Sequence, residues 1–224
     1  GNINGPSKVT VHDPNDVART TIKETNIHDN REGNIGNEAK RGKIYNQDKQ
    51  PAKEFASLVG WVIAKELGGC NIDFSFTPVL DVNYGASSII GDRAFHEQVS
   101  PVIELANNLM QGLKDGGMQA IGKHFPGHGF IKEDTHLEKG EDKRKFSDIK
   151  ENDLKVFVSL IDSGMKGIMP SHIIYSLCDS LPSGLSRFWL QDQLRNQLRF
   201  KGAIFSDDMS CLLYTSDAAD ECDS

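Results

Sequence analysis

Four short apolar runs, near residues 74, 120, 168 and 204, each follow a stretch of helical periodicity, and each ends in polar side chains. Helices alternating with strands imply right-handed crossover units and a parallel sheet, so the expected class is α/β. Asp81, Lys123, His124, His172 and Asp207 all fall at or just beyond the C-terminal ends of those runs. In open α/β sheets and in closed barrels alike, that edge carries the chemistry. A full (β/α)8 barrel takes roughly 250 residues, so the regular part of this chain is too short for all eight units.

Phe55, Leu58, Val59, Val62, Ile63 and Leu67 follow helical spacing, with Gly68 and Gly69 as the stop. Ile72, Phe74 and Phe76 alternate as a strand, which leaves through Pro78 and delivers Asp81 and Asn83 to a loop. A second loop carries Arg93. Ser100 and Pro101 suit the start of a helix through Leu113, and Met118–Gly122 reads as a short buried strand. Ser147 is expected to cap a helix presenting Leu154, Phe157, Val158 and Ile161. Gly167–Pro170 is the next strand, ending at Ser171 and His172. Ser186 opens a helix containing Trp189, Leu190, Leu194 and Leu198, and Ala203–Ser206 is the last strand, ending in Asp207 and Asp208.

Between the second strand and the following helix lies Gly122-Lys-His-Phe-Pro-Gly-His-Gly129, then Asp134-Thr-His136. Pro126 blocks a helix there, and Gly127 and Gly129 favour turns, so the stretch reads as a loop that holds side chains.

The two ends differ from the middle. Residues 1–43 are rich in Asn, Asp, Lys and Gly with no aromatic residue, a composition that buries too little to offset its ordering entropy and is expected to be disordered or mistranslated. Residues 44–210 form the regular α/β part. Residues 211–224 read as a non-native, adapter-like tail. A net charge of -7 offers no footprint for nucleic acid or an anionic membrane. No apolar run approaches the length of a membrane span and no signal peptide is evident, so a cytoplasmic, monomeric protein is expected. Cys70, Cys178, Cys211 and Cys222 lack metal-ligand spacing and are expected to be reduced thiols.

The polar residues suggest three chemistries, of which the first is ruled out. Gly117–His124 approaches a phosphate-binding GxxxxGK[ST] loop, but its interior is strand-like and His124 stands where the hydroxyl would be. His124, His128, Asp134 and His136 could serve a metal-dependent hydrolase, although Pro126 and Gly127 prevent the helix that would align the first pair. The third is glycoside hydrolysis. Asp134 could fix the tautomer of His136 for general acid/base work, and Asp207 could attack a carbon centre to form a covalent ester. Lys123, His124 and Arg93 would then donate hydrogen bonds to sugar hydroxyls.

At these residues the chain resembles a known family. Ile72-Asp-Phe-Ser-Phe-Thr-Pro-Val-Leu-Asp-Val-Asn83, Ile90-Gly-Asp-Arg-Ala-Phe95, Gly122-Lys-His-Phe-Pro-Gly-His-Gly129, Asp134-Thr-His136 and Ile204-Phe-Ser-Asp-Asp-Met209 together resemble the bacterial β-N-acetylhexosaminidases of glycoside hydrolase family 3, of the single-domain type that recycles cell-wall fragments. The resemblance implies a (β/α)8 TIM barrel, incomplete in this chain. It also implies retaining removal of terminal β-linked N-acetylglucosamine from muropeptides. Asp207 matches the nucleophile, His136 the acid/base with Asp134 as its partner, and Lys123, His124 and Arg93 the sugar-binding positions. No metal and no cofactor are implied. Beyond a faint Arg31-Glu-Gly33, the family's early Gly-Gly-Arg loop has no counterpart, and the elements expected after the nucleophile are missing, so a chain truncated or frameshifted at both ends is expected. A non-catalytic sugar-binding remnant of the barrel is the alternative for such a chain.

Overall fold

The computed structural model describes residues 38–87, 89–132 and 140–208. The first helix, α1 (Glu38–Gln47), begins inside the 1–43 stretch expected to lack structure, and its Glu38, Arg41 and Gly42 are buried. Residues 1–37 and 209–224 lie outside the described residues, as do Ser88 and residues 133–139.

Helix α2 (Lys49–Gly69) starts at Asp48, whose carboxylate accepts the amide of Gln50 at 3.1 Å. It buries Ala52, Ala56, Val59, Gly60, Ile63, Ala64 and Leu67. Phe55 and Leu58, expected on the core face, instead point outward with Trp61. The expected Val59, Ile63 and Leu67 are buried, but small residues, Ala52, Ala56, Gly60 and Ala64, make up the rest of the contact face. Gly60 and Gly112 let α2 and helix α3 (Val99–Gly116) approach backbone to backbone. A Cβ on Gly112 would lie 1.8 Å from the Ser57 carbonyl, and one on Gly60 would lie 2.2 Å from that of Leu109. The α3 N-cap is Gln98 rather than Ser100, and it makes no side-chain capping bond.

Among the described residues, four parallel strands follow in spatial order β1 (Phe74–Ser75), β2 (Gln119–Phe125), β3 (Gly167–Pro170) and β4 (Ala203–Ile204). Six consecutive residues of β2, Ala120–Phe125, are buried, as expected for a parallel strand covered on both faces. This strand runs on past Gly122, so Lys123 and His124 are strand residues and the loop starts after them. In a flat sheet, β1 and β4 would lie about 14 Å apart at the usual strand spacing. The rings of Phe74 and Phe205 are only 5.1 Å apart, and Phe76 joins both. The sheet is therefore strongly curled around an inner cluster of Phe74, Phe76, Ile121, Met169 and Phe205. This is the arc of an incomplete (β/α)8 barrel.

The helices pack on the outside of the arc. The helix expected near Ser147 is split at Asn152 into α4 (Phe146–Glu151) and α5 (Asp153–Asp162), so Ser147 lies within the first piece and caps neither. The Ser186 expectation holds: its hydroxyl accepts the amide of Trp189 at 3.1 Å. The segment it opens, Phe188–Gln197, is wound as a π-helix. Trp189 is fully buried and meets the rings of Phe125, Phe146, Tyr175 and Phe188. Among the described residues, no helix is long and apolar enough to cross a membrane.

Candidate active site

The polar residues gather at the C-terminal edge of the strands. Asp81, just after β1, is fully buried and makes three contacts across to the end of β2. One carboxylate oxygen accepts the His128 amide at 2.7 Å and the His124 amide at 3.3 Å. The other lies 2.7 Å from Nδ1 of His124. The β2–β3 register shifts between Lys123 and Phe125, which takes His124 out of the ladder and frees its amide for this bond.

Burial pushes the Asp81 carboxyl up, but His124 and His128 outweigh it and hold the group below its ordinary range. Burial likewise lowers both histidines despite Asp81. The pair is thus a carboxylate with a neutral imidazole. In that state Nδ1–H donates to Asp81 and Nε2 is the ring's acceptor. Nδ1 of His124 is engaged by Asp81, so a contact with a sugar hydroxyl falls to Nε2.

Lys123 is almost completely buried, and its amine is lowered to about 8, first by burial and then by the Arg93 charge. Arg93 comes from the short 3₁₀ turn Gly91–Arg93, where Nη1 reaches the Ile89 carbonyl at 3.4 Å. Its Nε is buried without a hydrogen-bond partner among the described residues.

Asp207 follows β4. Burial raises its carboxyl, but His124, His172, the Asp208 amide and Lys123 together hold it below the usual carboxylate range. The Asp208 amide donates to it at 2.9 Å, and Nε2 of His172 lies 3.9 Å away. The result is an ionised carboxylate kept partly open to solvent beside a cation and two imidazoles. Such a group can serve as a nucleophile or stabilise positive charge developing at carbon.

Of the residues expected from sequence, the fold brings Asp207, Lys123, His124 and Arg93 into one electrostatic neighbourhood. Asp134 and His136 lie outside the described residues. No group of three or more His, Cys, Asp or Glu among the described residues is arranged to hold a metal ion. Sequence reasoning assigned no site role to Asp81 or His172, although both were visible at strand ends. It missed Glu38 altogether. That carboxyl is fully buried, accepts the Val79 amide at 3.4 Å and is pushed up to about 8 by burial, with Arg41, Arg93 and Lys123 pulling the other way. No sequence signal could have placed it there, since its helix lies in a stretch with no clear apolar pattern.

Residues 44–221 match the glycosyl hydrolase family 3 N-terminal domain. A beta-hexosaminidase of Methylobacillus flagellatus is 52% identical over 169 residues, which are 75% of this chain and 48% of that protein. One from Nitrosospira multiformis is 48% identical over the same shares. The crystal structure of NagZ from Neisseria gonorrhoeae in complex with N-trifluoroacetyl-D-glucosamine superposes with a TM-score of 0.75 at 44% identity, covering 77% of this chain and 51% of that one. The chain spans about half the length of the curated relatives it matches. A parallel, curled sheet, an ionised aspartate at its C-terminal edge and a match over most of the sequence agree: the chain belongs to glycosyl hydrolase family 3.

Proposed function

We propose that the protein carrying this chain is a retaining exo-β-N-acetylglucosaminidase that acts in the cytoplasm on muropeptide fragments of the cell wall. The observation that carries the reading is Asp207, a carboxylate held below its ordinary range beside His124, His172 and Lys123 at the strand edge. The beta-hexosaminidase relatives and the glucosamine derivative bound by the gonococcal protein support the sugar class. The muropeptide context follows the motif resemblance.

In the first step a carboxylate oxygen of Asp207 forms a bond to the anomeric carbon. The bond from that carbon to the leaving oxygen breaks, and the oxygen keeps the electron pair and takes a proton from His136. In the second step water attacks the same carbon and gives a proton to His136. The ester bond breaks, and Asp207 leaves as a carboxylate. Asp134 would hold the ring of His136 in the tautomer this cycle needs. Arg93 and charged Lys123 would donate to sugar hydroxyls, and His124 would accept from one.

The assay is p-nitrophenol release from p-nitrophenyl N-acetyl-β-D-glucosaminide by the full-length protein and its Asp207→Ala variant. Loss of at least about a thousandfold in kcat is expected for a missing nucleophile. Wild-type turnover by the variant would refute the mechanism. A full-length wild-type protein that binds N-acetylglucosamine without turnover would instead be a sugar-binding module.

A further inference from the structure

Arg144 lies between two buried carboxylates and two aromatic rings. Its Nε and Nη2 donate to Asp142 at 2.9 and 2.7 Å, and its Nη1 donates to Asp153 at 2.8 Å. Its guanidinium carbon lies 4.2 Å from the Phe130 ring centroid and 5.1 Å from that of Tyr84. The Tyr84 hydroxyl donates to Asp153 at 3.0 Å, and the Tyr84 and Phe130 rings meet edge to face. Asp142 and Asp153 are essentially inaccessible, and the Arg144 side chain is 11% exposed.

Each contact comes from a different piece of chain. Tyr84 belongs to the loop after β1 and Phe130 to the loop after β2, while Asp153 opens α5. Asp142 is set by backbone bonds: its amide donates to the Ile174 carbonyl, and the Ile174 amide donates to that of Gly140. Asp153 also backs the turn after His124, since a Cβ on Gly127 would fall 2.6 Å from its Oδ1. The Tyr175 hydroxyl donates to the Gly127 carbonyl at 2.6 Å. One guanidinium therefore ties together the chain entering and the chain leaving residues 133–139, and links both to the turn that presents His128.

Resting on the reading of His136 as the acid/base, we propose that Arg144 is a positioning residue for proton transfer to the leaving group. It touches no substrate; it fixes where the two ends of the acid/base segment start and finish. A planar fork bonded to two carboxylates and stacked on a ring cannot be reproduced by an ammonium, so lysine is not a conservative replacement here. A displacement of about 1 Å in a catalytic group costs up to about a hundredfold in rate.

The experiment compares aryl N-acetyl-β-D-glucosaminides with a good leaving group (2,4-dinitrophenyl) and a poor one (phenyl). The proteins are full-length wild type, Arg144→Lys, Phe130→Leu and His136→Ala. Phe130 is 42% exposed, so its replacement loosens the stack while keeping the ion pairs that hold the fold. Arg144→Lys is expected to lose about a hundredfold in kcat/KM on the phenyl substrate and less than about fivefold on the dinitrophenyl substrate. Phe130→Leu should show the same bias in weaker form. Equal losses on both substrates in Arg144→Lys and Phe130→Leu, with a biased loss in His136→Ala, would overturn the positioning role alone. No bias in His136→Ala would overturn the acid/base reading and the positioning role with it.

Discussion

Nδ1 of His124 lies 2.7 Å from Oδ2 of Asp81, which ties the end of the second strand to the loop after the first. The same carboxylate accepts the amides of His124 and His128, so one buried side chain fixes both histidines of the Lys-His-Phe-Pro-Gly-His run. This explains how a glycine- and proline-rich segment holds its side chains in one arrangement.

Asp81→Ala should leave a buried imidazole and two buried amides without their acceptor. A loss of about 3–5 kcal/mol is expected, read from denaturant unfolding, with a fall of at least about tenfold in kcat/KM. Asp81→Asn should lie between, because its amide nitrogen faces a donor. An unchanged unfolding midpoint in Asp81→Ala would contradict the role given to this carboxylate.

Lys123 is expected to set the alkaline limb of activity. Its amine is lowered to about 8, so the charged donor is lost as pH rises through that value, and kcat/KM should fall above it. Arg stays charged, so whatever activity Lys123→Arg retains should lack this limb. A limb that persists unchanged in the variant would assign it to another group.

Glu38 makes a testable contribution to stability. Its carboxyl is raised from 4.5 to about 8, so the folded protein holds a proton across that window while the unfolded chain has released it. Stability from this group falls as pH rises through the window. His124 and His128 are lowered, so they act in the opposite sense below about 6.5 as the unfolded chain takes up protons. Between pH 6.5 and 8 the Glu38 slope is separable, and Glu38→Gln should flatten it. An identical slope in urea melts of both proteins would show that Glu38 is ionised throughout.

Gly129 is fixed by close packing. A Cβ there would lie 1.8 Å from the Val82 carbonyl, so Gly129→Ala must push apart the loops after β1 and β2. A loss of about 3 kcal/mol in unfolding free energy is expected, at the upper end for overpacking, together with reduced turnover. Wild-type stability and turnover would mean that the two loops separate freely.

The sequence was most legible where residue type and position coincide with chemistry. Asp207, Lys123 and His124 stand out as polar groups at the ends of apolar strands, and the alternation of helices and strands gives the parallel sheet. Less legible was anything decided by packing. Phe55 and Leu58 fit a helical stripe, yet the buried face of α2 joins Val59, Ile63 and Leu67 to Ala52, Ala56, Gly60 and Ala64, and it is the missing side chain of Gly60 that permits the close contact with α3. The extent of β2 was underestimated because lysine and histidine read as loop residues. They are tolerated in a buried strand because Asp81 and the neighbouring charges partner them. The Arg144 cluster left no pattern in the sequence, since apart from Asp142 its partners are 9 to 60 positions away.

In the proposed mechanism Asp207 becomes covalently bonded to the sugar. The direct measurement is peptide mapping by mass spectrometry after rapid acid quench of the full-length protein turning over the dinitrophenyl N-acetyl-β-D-glucosaminide. The peptide containing Asp207 should carry one N-acetylhexosaminyl group during turnover and lose it once substrate is exhausted. The first-formed sugar product should be the β-anomer. A label on any other residue, or an unlabelled enzyme releasing the α-anomer first, would rule out a covalent intermediate on Asp207.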